Sequence, residues 1–282
     1  MLTALGAGFR SVGRNWGLVL LVLLGNLAFA LVVADPLALQ LEGDLAHLGA
    51  SRGMMFGFDY DWCGGRGSLD PTLLGLGALY LVLQVFLPGG LLGVFRSPTG
   101  GWTVRGLLHG SGFYFGRLFR VSLLALAAAG AVFALNAPFA RWVDGLAREA
   151  ASERTAIGLV LGRRAVLLLA LVVVHMVASH AKVLVVREER LSSVLALLSG
   201  LGFCARNFVA TLGQYAVVLV LGAGVVASFG AIDRRLAVTG WRSPILALGL
   251  FQAVVVARIA LRLGLLAGQL ELQRARGARS PR

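Results

Sequence analysis

The sequence predicts an all-α, polytopic transmembrane helical bundle of about six spans, and three observations carry that prediction. Of 282 residues, 58% are hydrophobic and only 14% charged, with a mean hydropathy of +0.83; soluble domains hold roughly 25% charged residues. Six separate stretches reach the ~20 mostly apolar residues that a bilayer core requires. None of them alternates as a membrane barrel strand would, so each must satisfy its own backbone hydrogen bonds as a helix. Disorder is excluded by the same apolar content, and collagen-like order by the lack of a three-residue period among the 38 glycines.

The expected spans are residues 16–34, 71–95, 118–138, 164–186, 209–231 and 244–266. The first follows Arg10 and Arg14 and contains Ala28-Phe29-Ala30, which reads as a small-residue cleavage site. Its apolar run of 19 residues exceeds the 7–15 of a signal-peptide core, so it is expected to stay as an anchor.

Charge then supplies orientation. The chain carries 26 Lys+Arg against 13 acids, a net +13, and Lys182 is the only lysine. Nucleic-acid binding would need these bases clustered on one face, whereas here they sit in small groups between apolar runs. With the N-terminus in the cytoplasm, segments 1–15, 96–117, 182–208 and 267–282 hold 13 bases and only three acids, Glu188, Glu189 and Glu271. The opposite side holds ten of each. Base distribution therefore predicts an N-in, C-in membrane protein, with residues 273–282 as a basic disordered tail near anionic headgroups. This topology puts Cys63 outside and Cys204 inside, so an impermeant maleimide should modify Cys63 on intact cells and spare Cys204. No disulfide framework or zinc spacing is present.

Several connections look amphipathic. Leu37, Leu41, Leu45 and Leu48 share a helical face in the first loop, and Phe139, Trp142, Val143, Leu146 and Ile157 share another within 139–157. Both are expected as interfacial helices, or as helices packed on the rim of the bundle. At an offset of 90 residues, Thr103–Phe113 matches Ser193–Phe203 at six of eleven positions, and each copy lies between two spans. Units 71–138 and 164–231 thus form an expected parallel repeat about a pseudo-twofold axis along the membrane normal. Gly222, Gly224 and the Ala127–Ala131 run are expected to form close packing surfaces.

Two features inside the spans could carry function. Leu87-Pro88-Gly89-Gly90 predicts a kink or unwound turn, since proline removes a backbone donor; such breaks shape packing or line transporter sites. His175, Ser179 and Lys182 follow at i, i+4 and i+7 on the fourth span, with His180 beside them. Arg258 and Arg262 share a face of the sixth, near Gln252 and Gln269. Ionisable groups at membrane depth mark aqueous or anion paths; the alternative is that Lys182, Arg258 and Arg262 snorkel to headgroups and that His175 bonds a neighbouring helix. In the outer loop, Asp59 and Asp61 form a short DxD pattern, a weak metal-ligand candidate; the alternative is a solvated turn. Walker A, HExxH and GxSxG motifs are absent, and no haem, flavin or other cofactor is expected.

The runs LPGGLLGVF, GFYFGRLFR and HAKVLVVREERLSSVLALL, over roughly residues 80–215, resemble a loose group of uncharacterised bacterial six-span membrane proteins. Similar groups form the membrane portion attached to glycerophosphodiester phosphodiesterases. The catalytic barrel of those enzymes is missing here, so the resemblance implies a membrane domain and transfers no active-site residue. Together these readings favour a non-enzymatic accessory or scaffold component with a membrane-protein partner or as a homo-oligomer. The alternatives are a small-molecule or lipid transporter or permease subunit, and a membrane enzyme acting on a lipid-linked phosphate through Asp59 and Asp61.

Overall fold

Of the 282 residues, the computed structural model describes 1–48, 71–97, 102–233 and 242–277. Among the described residues every regular element is a helix: α1 (Leu2–Arg14), α2 (Trp16–Leu48), α3 (Pro71–Arg96), α4 (Val104–Arg148), α5 (Glu153–Arg187), α6 (Ser193–Arg206), α7 (Phe208–Asp233) and α8 (Arg242–Gly277). Six of these, all but α1 and α6, are long and apolar enough to cross a membrane, as a multi-pass membrane protein requires. Side-chain caps set three of the starts. Thr103 accepts from Gly106 N (3.1 Å), Ser152 from Thr155 N (3.2 Å) and Ser192 from Leu195 N (3.4 Å), each satisfying a backbone donor that has no partner within the helix.

Several element boundaries differ from expectation, for physical reasons. α4 runs unbroken from Val104 to Arg148, so the matched segment 103–113 and the following span are one helix. Residues 139–157 do not form a separate surface helix: α4 ends at Arg148 and α5 restarts behind the Ser152 cap. α2 likewise continues through Leu48. α3 is helical across Pro88, with no unwound turn. α8 continues to Gly277, so 273–277 are helix and not tail, because Gln273 is fully buried against α5. Asp59, Asp61 and Cys63 lie outside the described residues.

Buried apolar side chains concentrate at one end of the bundle, called here the base. They include Leu18 and Val19 of α2, Leu92 and Phe95 of α3, Leu107 and Leu118 of α4, Val183 and Val186 of α5, and Leu263 and Leu270 of α8. Away from the base, Leu81, Leu126, Leu135, Leu168 and Leu219 remain exposed, the surface a span offers to lipid tails.

Three like pairings build the base, each joining the C-terminal end of a long helix to a short helical segment that leads into another. α3 meets α4 at Gly90 and Gly110: a Cβ on Gly90 would lie 2.1 Å from the Leu107 carbonyl oxygen, and Gly90 N donates to Ser111 Oγ at 3.2 Å. α5 meets α6 at Ala181 and Gly200, where a Cβ on Gly200 would lie 3.1 Å from Ala181 N. α8 meets α1 at Gly268 and Gly8, with the matching distance 2.4 Å to Gly268 N. Small residues at these crossings let backbones approach, which is how helices associate where lipid removes the hydrophobic drive. Gly130 and Gly224, expected at packing surfaces, have nothing within 4 Å of a built Cβ.

The likeness extends along the short segments. Four residues after Gly8, Gly110 and Gly200 come Val12, Tyr114 and Cys204, all buried; eleven after come Val19, Val121 and Thr211, all fully buried. Asn15 and Asn207 make the same hinge. Each side-chain amide donates back to the carbonyl four residues earlier (2.9 and 3.0 Å), and each carbonyl accepts from the residue three later (2.9 Å in both). Arg117 stands at that place in α4, with no amide to cap the carbonyl, and the helix continues.

Six residues after Gly90, Ala181 and Gly268 stand Arg96, Arg187 and Arg274. Each donates to the carbonyl of the residue before the next arginine. Arg96 reaches Val186 O (3.0 Å), Arg187 reaches Gln273 O (2.8 Å), and Arg274 reaches Phe95 O (3.4 Å) and Arg96 O (2.9 Å). The ring closes after three steps, so the ends of α3, α5 and α8 are arranged about a pseudo-threefold axis, and units 71–138 and 164–231 supply two of its three members. The third unit escapes a search at fixed offset because it is divided between the chain ends, α8 followed by α1 and α2. Cations at helix C-termini are also favourable, by about 0.3–1 kcal/mol each, because carbonyl dipoles converge there.

Cys204 lies in the α5–α6 seam, 2% exposed, and burial pushes its thiol up to about 12. Thiolate is the reactive form, so a buried thiol raised to about 12 should react with maleimide far more slowly than an ordinary one. Mass spectrometry of native against detergent-unfolded protein should show Cys204 modified only after unfolding. Rapid native labelling would place α6 away from α5. Silence at Cys204 therefore reports burial rather than membrane side, and Cys63 alone carries the topology test.

Candidate functional site: a cavity on the pseudo-threefold axis

The register that aligns the arginine ring also aligns a cavity. Counting back from Arg96, Arg187 and Arg274, positions 5, 8, 9 and 12 residues earlier in α3, α5 and α8 all line one space of about 140 Å³. Spacings of three, four and seven residues place those positions on one face of each helix, and the three faces enclose the axis. At the fifth position stand Leu91, Lys182 and Gln269; at the eighth Pro88, Ser179 and Leu266; at the ninth Leu87, Ala178 and Leu265; at the twelfth Gln84, His175 and Arg262. Val22 and Asn26 of α2, with Ile259 and Leu263 of α8, complete the wall.

Its electrostatics are one-signed. Lys182 and Arg262 bring two cations, and among the described residues no carboxylate lines the space. Arg262 Nη1 donates to Gln84 Oε1 at 2.5 Å, tying α8 to α3. Ser179 Oγ donates to Gln269 Oε1 at 2.7 Å, and Gln269 Nε2 donates to Tyr215 Oη of α7 at 3.0 Å. The His175 ring meets the Tyr215 ring edge-on at 5.9 Å, and Tyr80 Oη donates to Asn26 Oδ1 at 3.3 Å between α3 and α2. Lys182 has no hydrogen-bond or ion-pair partner among the described residues.

Toward the base the space is closed. One residue before each arginine, Phe95, Val186 and Gln273 are buried, and four before, Leu92, Val183 and Leu270 are buried as well.

The structure brings together His175, Ser179, Lys182, Arg262 and Pro88. It leaves Arg258 exposed and off the wall, and it turns Gly89 and Gly90 toward α4, where Gly89 would meet Tyr114 and Leu118. His180 belongs to packing: it is fully buried, its Nδ1 lies 3.1 Å from Gln273 Nε2, and its ring lies 5.2 Å from that of Phe203. Gln84, Asn26 and Tyr215 are site residues that sequence reasoning missed. Gln84 had a usable signal, since it precedes Arg96 by the same 12 residues that separate Arg262 from Arg274. Among the described residues no group of three or more His, Cys, Asp or Glu could hold a metal ion. No family model, no curated protein and no solved structure matches the chain.

Proposed function

We propose that the chain is a transporter or permease subunit of the bacterial inner membrane whose axial cavity receives a small anionic group. One observation carries this reading: two cations, Lys182 and Arg262, line a space among membrane-spanning helices, and no carboxylate among the described residues joins them. Charge inside a bilayer is costly unless it is compensated, and a wall that supplies only cations and neutral donors stabilises an incoming anion. The base faces the cytoplasm in this reading, because bases dominate the segments on that side. The accessory or scaffold reading rests on missing motifs, whereas the cavity is a positive feature.

The test is flux. Proteoliposomes of phosphatidylcholine and phosphatidylglycerol, loaded with potassium chloride or potassium phosphate and polarised with valinomycin, should release anion faster than protein-free vesicles. Lys182→Met and Arg262→Gln should each lower that rate at least tenfold. At an effective dielectric of 20, a cation about 4 Å from the anion contributes about 4 kcal/mol, and a third of that is already tenfold. Protein that passes no anion and co-purifies stoichiometrically with a membrane partner in mild detergent would instead establish the accessory role.

A further inference from the structure

We infer that the group taken by the axial cavity is a phosphate monoester dianion, with its ester substituent against the apolar part of the wall. This rests on the anion-handling reading above and narrows it to one chemical class.

Charge is the first argument. Lys182 and Arg262 together present two positive charges, with no acid among the described residues of the wall. A monoanion such as a carboxylate, a halide or a phosphodiester leaves one of them uncompensated in the bilayer, which is the costly arrangement. A phosphate monoester carries a charge of about −1.5 to −2 near neutral pH and matches the pair.

Donor supply is the second. Lys182 holds three N–H donors without a partner among the described residues, and Arg262 spends Nη1 on Gln84 and keeps the remainder of its fork. These two residues sit seven register positions apart, an axial rise of about 10 Å, and both line the same cavity, with a level between them. That level holds Ser179. Three terminal phosphoryl oxygens accept enough hydrogen bonds to use such a set, and arginine with lysine is the usual phosphate-binding pair.

Shape is the third. About 140 Å³ admits a phosphoryl group with a small part of its substituent and no acyl chain. Leu87 and Leu91 on α3 and Leu265 and Leu266 on α8 make the adjoining wall apolar. A substituent leaving along that wall is favoured when it is hydrocarbon. The phosphoryl group itself could come from a lipid or from water, and the two sources are separable by experiment.

The full chain is placed in phosphatidylcholine nanodiscs, alone or doped with phosphatidate (a monoester) or with phosphatidylglycerol (a diester), and its thermal midpoint is followed against dopant fraction. Inorganic phosphate is titrated separately into the undoped discs. Phosphatidate is expected to raise the midpoint at a dopant fraction at least tenfold below that needed for phosphatidylglycerol. Stabilisation by phosphatidate alone identifies a lipid source, and stabilisation by inorganic phosphate as well identifies a soluble one. Lys182→Met and Arg262→Gln should abolish the shift, while Lys182→Arg, which retains the charge, should preserve most of it. Unliganded midpoints identify which variants fold, and Lys182→Arg keeps the comparison usable if Lys182→Met does not. Equal effects of the two lipids, no effect of either lipid or of phosphate, or shifts that survive removal of both cations would overturn the assignment. Its failure differs from failure of the transport reading. Chloride flux without monoester selectivity removes the ligand class and leaves transport standing, whereas monoester binding without flux does the reverse.

Discussion

Gly90→Val is expected to leave little folded protein in mild detergent, with the thermal midpoint of any surviving fraction far below that of the parent. The reason is geometric. Any Cβ at position 90 would fall 2.1 Å from the Leu107 carbonyl oxygen and 2.9 Å from its carbon. Both atoms belong to the backbone of α4 and have no rotamer by which to move aside. Relief requires α3 and α4 to separate, which breaks the hydrogen bond from Gly90 N to Ser111 Oγ and opens the seam that buries Leu92, Leu107 and Leu118. Overpacking an ordinary core costs about 1–3 kcal/mol; backbone against backbone belongs at or above the top of that range, a large share of the 5–15 kcal/mol that holds typical proteins folded. Gly93→Ala and Gly116→Ala are the controls, since a Cβ at either site meets nothing within 4 Å. Size-exclusion elution and thermal midpoints of the three variants decide the matter. A Gly90→Val protein as stable as Gly93→Ala would mean that α3 and α4 do not touch there.

The second large effect is expected from the arginine ring. Arg96→Gln, Arg187→Gln and Arg274→Gln should each lower stability by about 1 kcal/mol. A charge-assisted hydrogen bond contributes about 1.5–3 kcal/mol when protected, and partial exposure of Arg96 and Arg274, with side chains 43% and 37% accessible, reduces that. Their combination should fall short of the sum, because loss of one arginine already displaces the carbonyl that another uses; couplings of 0.5–3 kcal/mol are usual within such networks. Arg96 also pairs with Glu189 at 2.9 Å, and Arg117 donates to the Glu189 carbonyl at 3.3 Å. Glu189 is held at φ 53°, in the left-handed region that favours glycine. Loss of Arg96 should therefore also loosen the α5–α6 turn, seen as faster hydrogen exchange at 188–192. Strict additivity of the three substitutions would show that the ring is three separate contacts.

Fold class and the number of spans were legible because bilayer thickness acts on composition and length alone. The six apolar runs needed no knowledge of partners. Helix ends were less legible: 139–148 and 273–277 are amphipathic or basic, as interfacial helices and tails also are, and only tertiary contact decides among these outcomes. Gln273 shows this, since its helical place depends on His180 more than ninety residues earlier. The cavity was half legible. His175, Ser179 and Lys182 stood out because polar residues at i, i+4 and i+7 share a face, and Arg262 because it is a charge within an apolar run. Gln84 did not, as one uncharged side chain in α3 gives no periodicity of its own. The third unit was hidden by sequence divergence as well as by its division between the termini. Residues 1–11 share only Leu5 and Gly8 with 103–113 in the structural register. What the three segments retain is the property that packing needs, a small residue where backbones cross and a buried side chain four residues on.

Gly8 and Gly268 are separated by 260 residues, and that distance has a temporal meaning. At synthesis rates of about 5–20 residues per second, roughly 13–50 s pass between the appearance of α1 and that of its partner surface on α8. During this interval the α3–α4 and α5–α6 pairings can form from neighbours in sequence, while Ala4, Leu5 and Gly8 wait without a surface to cover them. Closure of the bundle is thus the slowest and most non-local of its three joining events. A chain interrupted before Gly268 lacks the surface on which Ala4, Leu5 and Gly8 pack.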